Sequence, residues 1–334
     1  MTTGTDRAEP ALTRKVIFVA WEDHRRTREI CSALSIELHV LIARARGLRR
    51  YATLVPRTLA LLARHRSYTV IVQNPSLILS TLCVLVRPVL ALRVIMDAHN
   101  EAIEPFLNPH PVIARMARWL QRSCDFVIVT NRFLAATVLR NGGRPIVLPD
   151  RIPEPAVGDQ GLAIAMRGPC NVVVISTFVR DEPLEAVLDA ARRLGDEYQF
   201  YVTGNSRKLD PALARAAPGN VTFTGFLSDQ QYWSALRQAD LIVDLSLMDN
   251  CLVCGAYEAV AVGTPLVLSA NSATRELFGE VAYFADNSPA SIAAAVREAR
   301  AQATELRARA PQLRAKLRAD WQLSAQQLQL HFGR

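Results

Sequence analysis

A single carboxylate, Glu258, stands among small and apolar residues directly after a turn-forming segment, Asp249 to Gly255. The surrounding stretch Ala239–Gly279 reads as strand, tight loop, helix, strand: apolar Leu241–Leu245 is a short buried strand, and a helix is expected from about Ala256 until Gly263 stops it. A helix start above a parallel sheet presents free backbone N–H groups and the positive end of its dipole, which suits a phosphate. Glu258, expected in the first turn, would repel a phosphate but can accept from neutral hydroxyls such as a ribose diol. The competing role is plain complementation of the helix dipole, worth about 0.3–1 kcal/mol. Spacing leaves both open.

Other strand-end loops carry titratable groups. His24, Arg25 and Arg26 follow the first strand and could meet an acceptor phosphate, or belong to a polar helix start with Glu22 and Asp23 as caps. His99, in Asp97-Ala98-His99-Asn100-Glu101, closes the fourth strand; a lone histidine is more often structural, but the strand-end position and polar neighbours make it the candidate catalytic group of the first half. Cys251-Leu252-Val253-Cys254 has redox or zinc spacing without a second pair or a histidine pair, so two small side chains admitting a ligand are the simpler reading.

The elements needed to position these groups recur along the chain. Short apolar runs, most rich in Val and Ile, at Val16–Ala20, Glu37–Ile42, Thr69–Gln73, Arg93–Asp97, Phe126–Thr130 and Pro145–Leu148 alternate with helical stretches, as in a parallel sheet buried on both faces. Pro149, Pro153 and Pro155 open a segment of low periodicity reaching Pro169, expected to be a linker. Alternation then restarts at Val172–Ser176, with a helix over Pro183–Leu194, strands Phe200–Thr203 and Val221–Thr224, and a helix near Asp229–Ala239. Helices at Ala290–Gln302 and Ala310–Leu330 end the chain. With 334 residues and half of them hydrophobic, two domains are expected, 1–150 and 151–334, with the last helix a candidate to pack back on the first.

At Glu258-Ala259-Val260-Ala261-Val262-Gly263-Thr264-Pro265 the chain resembles the glycosyltransferase family 4 group of GT-B enzymes, whose nucleotide-sugar site carries Glu, seven residues, then Glu-Ala-x-Ala-x-Gly-x-Pro. Thr274-Arg275-Glu276-Leu277-Phe278 extends the likeness, which runs more loosely over Asn171 to about Ser291. The family's first Glu falls on Asn250, and its Gly-Arg and Lys-Gly diphosphate clamp falls on Ser176-Thr177 and Glu182-Pro183. The resemblance implies an α/β GT-B fold of two tandem doubly wound, Rossmann-like domains facing a cleft. It implies a glycosyltransferase, retaining and metal-independent, acting on a lipid-linked or polysaccharide acceptor in cell-envelope glycan synthesis. No cofactor is expected beyond the co-substrate, a UDP- or GDP-sugar. Donor binding would fall to Glu258, to Asn250, Cys251, Leu252 and Gly255 of the loop, to Arg180 as the nearby positive charge, to Gly204, and to the base-contacting turn Gly225-Phe226; His99 would contact the reacting sugar. The unmatched positions keep a catalytically silent binding subunit and a sugar-nucleotide epimerase as alternatives.

Charge bears on partners. Residues 1–150 hold 21 Lys plus Arg against 11 Asp plus Glu, and 151–334 hold 18 against 20, so the formal +8 belongs to the first half. Arg44, Arg46, Arg49, Arg50, Arg57, Arg64 and Arg66 form its densest cluster. An anionic membrane surface fits these residues, as does a solvated helix face. Nucleic acid does not, since no binding motif accompanies them and aromatics are 7% of the chain. Residues Leu77–Leu92 are the most hydrophobic span, but Arg87-Pro88 interrupts it short of the ~20 residues a bilayer needs, so a buried helix is expected. The polar first ten residues show no secretory signal, and six cysteines in a chain this long suggest no disulfide framework. A cytoplasmic protein, peripheral on the inner membrane face, is the expected setting.

Overall fold

The computed structural model describes residues 14–74, 76–107, 109–155 and 164–332. Two six-stranded sheets, parallel at every pairing, organise the chain. The first contains β1 (Val16–Ala20), β2 (Glu37–Val40), β3 (Thr69–Asn74), β4 (Arg93–Ala98), β5 (Phe126–Val129) and β6 (Pro145–Val147), in the order β2-β1-β3-β4-β5-β6. The second contains β7 (Asn171–Val174), β8 (Gln199–Thr203), β9 (Val221–Gly225), β10 (Leu241–Asp244), β11 (Leu266–Ser269) and β12 (Ala282–Ala285), in the order β12-β11-β10-β7-β8-β9. Strand order therefore reverses between β1 and β3 in one sheet and between β7 and β10 in the other, and such reversals open a crevice at the strands' carboxyl ends. Residues on both faces of these strands are buried, as β3 and β10 show along their whole length, which is why they read as apolar runs rather than alternations.

The helices that cover the first sheet are α1 (Arg25–Leu34), α2 (Leu48–Arg64), α3 (Leu77–Leu90), α4 (Asn100–Ile103), α5 (Pro111–Ser123) and α6 (Arg132–Arg140). Those of the second are α7 (Leu184–Leu194), α8 (Pro211–Ala216), α9 (Asp229–Gln238), α10 (Cys254–Val262), α11 (Ser272–Phe278), α12 (Pro289–Ala301) and α13 (Ala303–Leu330). The last helix joins the two halves. Leu306, Ala310, Leu313 and Leu317 enter the cores of the second domain, while Trp321, Ala325 and Leu328 lie with Phe18, Ile30, Ile71, Ile95 and Ile128 under the first sheet. Their spacing of three or four residues keeps one stripe facing inward for the full length.

Three expectations change. Helix α13 begins at Ala303 rather than Ala310, so Pro311 is internal; burial of Leu306 and Ala310 ahead of it offsets the missing backbone bond. Helix α3 buries Leu79, Cys83, Val84 and Leu90 but leaves Leu85 63% and Val89 72% exposed, because only one of its sides meets the sheet and α5. The proline-rich segment is partly anchored: Ile152 is buried in the second core and Asp150 is held by Arg26, while the stretch 156–163 of the expected linker, like the polar N-terminus, lies outside the described residues. No helix among the described residues is long and apolar enough to cross a membrane.

Candidate active site

The carboxyl ends of β1, β3 and β4 face those of β7 and β10 across a cleft of about 570 Å³, within the range of small-molecule sites. Its first-domain wall includes Glu22, His24, Arg26, Gln73 and His99. The His24 and His99 rings meet edge to face at 5.1 Å, and His24 Nδ1 and His99 Nε2 are shielded from solvent with no hydrogen-bond partner. Burial lowers the His99 pKa, with the charges of Arg26 and His24 acting in the same direction against Asp97. A neutral imidazole results, able to accept or donate one bond to a ligand.

Arg26 is placed differently from the phosphate-binding role the sequence suggested. Its guanidinium donates to Asp97 Oδ1 at 3.2 Å from two nitrogens, to Asp150 Oδ1 at 2.5 Å and to the Leu148 carbonyl at 2.9 Å. Asp97 is fully buried and Arg26 is 6% exposed, so this group of charges fixes the loop after β1 to the start of the interdomain segment and leaves little donor capacity. Arg25 points the other way and crosses the cleft.

Its partner is Glu258. The Arg25 Nη1 to Glu258 Oε1 distance is 2.7 Å, and Tyr232 Oη donates to Glu258 Oε2 at 2.5 Å. The same Arg25 also pairs with Glu29 one turn along α1. Glu258 lies in the second turn of α10, not its first, because the helix starts at Cys254. That start is set by Gly255, whose N–H donates to the buried Asp244 carboxyl at the end of β10. A Cβ on Gly255 would stand 2.3 Å from Asp244 Oδ2 and 2.4 Å from Ile175 Cδ1, so only glycine lets the helix approach the strand end. Burial, then the nearby Glu258 and Glu182 charges, raises Asp244 well above the usual carboxylate range. Asn250, in the left-handed region at φ 53°, turns the preceding loop, and its carbonyl accepts from Asn131 Nδ2 at 2.9 Å. Cys251 and Leu252 line the cleft; burial pushes Cys251 up to about 12, so its thiol is not poised as a thiolate.

A second cavity of about 400 Å³ adjoins the first through Tyr232, Ile175 and Thr177. Gly204 and Phe226 line it, together with Asn205 and Lys208. Gly204 sits at φ 129° where a Cβ would meet the Ser176 carbonyl at 2.5 Å, and Gly225 turns the chain at φ 72° to leave Phe226 82% exposed at the rim. The loop after β7 holds an internal anion. Glu182 accepts from the Thr177 and Phe178 backbone N–H groups, at 2.9 Å each, and from the Ser176 and Thr177 hydroxyls at 2.5 and 2.7 Å. Arg180, expected to supply positive charge here, is exposed and lines neither cavity; the turn that seats Glu182 directs it outward.

His24, His99, Arg26, Glu258, Cys251, Leu252 and Gly255 are thus gathered on one cleft, Gly204 and Phe226 on the adjoining cavity, and Arg180 on neither. Sequence reasoning passed over Tyr232, Asp244 and Asp150. Asp244 carried a signal, a carboxylate closing an otherwise apolar strand. Tyr232 and Asp150 carried none, since their partners are 26 and 124 residues away.

The arrangement has close structural counterparts. HepE from Anabaena, solved in complex with UDP-glucose, superposes with a TM-score of 0.70 at 12% identity, over 94% of this chain and 99% of that one. Both domains and the cleft between them are covered. The fold is GT-B. Within this GT-B chain, residues 169–302 match the family described as Glycosyl transferases group 1. Sucrose-phosphate synthase from Thermosynechococcus elongatus superposes at TM-score 0.72 and 16% identity, over 94% of this chain and 97% of that one. The lipopolysaccharide outer core galactosyltransferase WaaB, in its apo form, gives 0.64 and 11%, over 95% and 99%. Comparison with curated protein sequences finds no match.

Proposed function

We propose that the chain is a GT-B glycosyltransferase that takes a sugar from a nucleoside-diphosphate donor, UDP- or GDP-linked, and passes it, with retention, to a lipid-linked or glycan acceptor bound against the first domain. The observation that carries this reading is Glu258 on the cleft wall, bonded by Tyr232, which lines both cavities: a carboxylate for a ribose diol, with a 400 Å³ chamber for the base beyond Tyr232 and the α10 start for the diphosphate in the cleft. The base would rest near Phe226 and Gly204. The sugar would project toward His99, which holds a neutral ring against it. As the glycosidic bond loosens, charge gathers on the diphosphate, so the amides at the α10 start stabilise the departing group more than the bound donor. The basic surface of the first domain supports an acceptor presented at an anionic membrane surface in cell-envelope glycan synthesis.

One observation favours a second reading, a catalytically silent binding subunit. Glu182 fills the amide pocket after β7 where the resemblance expects a phosphate clamp, and its charge opposes a diphosphate. A single screen separates the two. UDP-, GDP-, ADP- and TDP-sugars are tested by thermal shift, and the best ligand is then titrated by calorimetry. A donor at about 100 times its Kd stabilises by ~2.7 kcal/mol. Glu258→Ala should weaken nucleotide binding by ~1.5–3 kcal/mol with the fold intact. A chain that responds to no nucleotide is the silent subunit.

A further inference from the structure

A cluster of metal-ligating side chains lies outside the cleft and takes no part in the proposed reaction. Glu37 and His39 are two residues apart on β2, so both side chains leave the same face of this edge strand. His65 caps the C-terminus of α2, four residues before β3 begins, and its ring stands 5.2 Å from that of His39. One ligand atom from each of Glu37, His39 and His65 lies within 4.8 Å of the other two.

The hydrogen bonds already prepare these groups. His65 Nδ1 is 2.8 Å from the Leu61 carbonyl oxygen, which can only accept, so Nδ1 carries the proton and Nε2 keeps its lone pair. A backbone carbonyl holding the far nitrogen of an imidazole is the arrangement that fixes tautomer and ring direction in metal-ligating histidines. His39 Nε2 is shielded from solvent without a hydrogen-bond partner; Glu37 Oε1 stands 3.1 Å away, an ion pair only when the ring is protonated. An orphaned, shielded nitrogen beside a carboxylate and a second oriented imidazole has an obvious occupant in a cation.

We propose that Glu37, His39 and His65 form a binding site for one divalent cation of the zinc class, with two imidazoles and one carboxylate as ligands and a fourth position open to water. Two nitrogens and one oxygen suit Zn(II) in tetrahedral geometry, with bonds of about 2.0–2.2 Å. Ligand atoms then stand about 3.3 Å apart, close to the 3.1 Å that already separates Glu37 Oε1 from His39 Nε2. The ion would clamp the edge strand β2 to the end of α2 at the amino ends of the strands, away from the cleft, and would stabilise the first domain.

The test uses the tag-free full-length chain, stripped with chelator and titrated with zinc chloride by calorimetry and by thermal melting. One Zn(II) should bind per chain and raise the melting temperature by several degrees. His39→Gln and His65→Gln should each weaken binding more than tenfold. Glu37→Gln, at a largely exposed side chain that folding does not depend on, should weaken it about tenfold and lower the thermal gain. The double variant His24→Gln/His99→Gln, which removes the cleft imidazoles, should leave zinc affinity within twofold. Absence of saturable uptake by the wild-type chain overturns the proposal, as does uptake that survives all three ligand variants or disappears in the cleft double variant.

Discussion

The Arg25–Glu258 pair sets the behaviour of the site at the scale of single residues. It spans 233 residues of sequence and joins the two walls of the cleft, with Arg25 38% exposed and Glu258 10%. A pair this close to solvent contributes only about 1 kcal/mol or less. That is small enough for a ribose diol to displace it, yet it opposes binding by the same amount. Arg25→Ala should therefore tighten nucleotide binding, by up to about fivefold, with Tyr232 left to orient the carboxylate; unchanged or weaker binding in calorimetry would show that Arg25 is not a competitor for Glu258. His99 offers a second test. Its folded pKa is lowered from about 6.5, so below that pH the unfolded chain binds more protons than the folded one, and stability falls with acidification. The neutral-ring contribution is present above pH ~6.5 and lost on descent through the lower folded value. His99→Gln should flatten the pH dependence of the melting temperature below about pH 6.5, and should cut turnover while nucleotide affinity stays near wild type. An identical pH profile in the variant would remove His99 from this account.

Among elements, the junction of β10 and α10 is the most constrained. Gly255 lets the helix start against Asp244, and Gly263 ends it in the left-handed region at φ 79°. Gly255→Ala must move Asp244 or Ile175 by more than half an ångström in a close-packed region, at a cost of about 1–3 kcal/mol. Urea unfolding should show this as a lower midpoint with an unchanged slope, and nucleotide affinity should fall further than stability because the displaced amides are those proposed to meet the diphosphate. Full stability in the variant would mean the approach is looser than it stands here.

The whole molecule presents an uneven surface. Arg44, Arg46 and Arg49 are exposed beside Ile42 and Leu48, which are 58% and 86% exposed, whereas Arg50 is drawn toward Glu22 at 3.0 Å and is less available than its neighbours. Each free arginine near an anionic leaflet contributes about 1 kcal/mol, and exposed charges are screened over ~8 Å at physiological ionic strength and ~3 Å at 1 M salt. Arg44, Arg46 and Arg49 changed together to Gln should abolish co-sedimentation with acidic vesicles, and salt should do the same to the wild-type chain. Vesicle binding that ignores salt would shift attention to the exposed Leu85 and Val89 of α3. No binding at low salt would favour a soluble acceptor.

Local sequence determined most of the architecture. Continuous Val- and Ile-rich runs have one stable use, strands covered on both faces, and so β1, β3, β4 and β10 were legible to within a residue or two. Gly263 marked the end of α10 for the same local reason, its tolerance of positive φ. Weakly apolar β12 and the short helices α8 and α11 were not distinguished, because their signal is comparable to that of a loop. The site was legible as positions but not as partners. His99, Glu258 and Gly255 stood out at strand ends; that Arg25 spans the cleft, that Arg26 is consumed by Asp97 and Asp150, that Glu182 occupies the amides after β7, and that His65 returns to His39 were decided only when the sheets packed. Hydrogen bonds and charge pairs act over a few ångströms in space, whereas residue spacing encodes distance only within one helix or strand. Contacts between elements therefore leave no periodic trace in the chain that makes them.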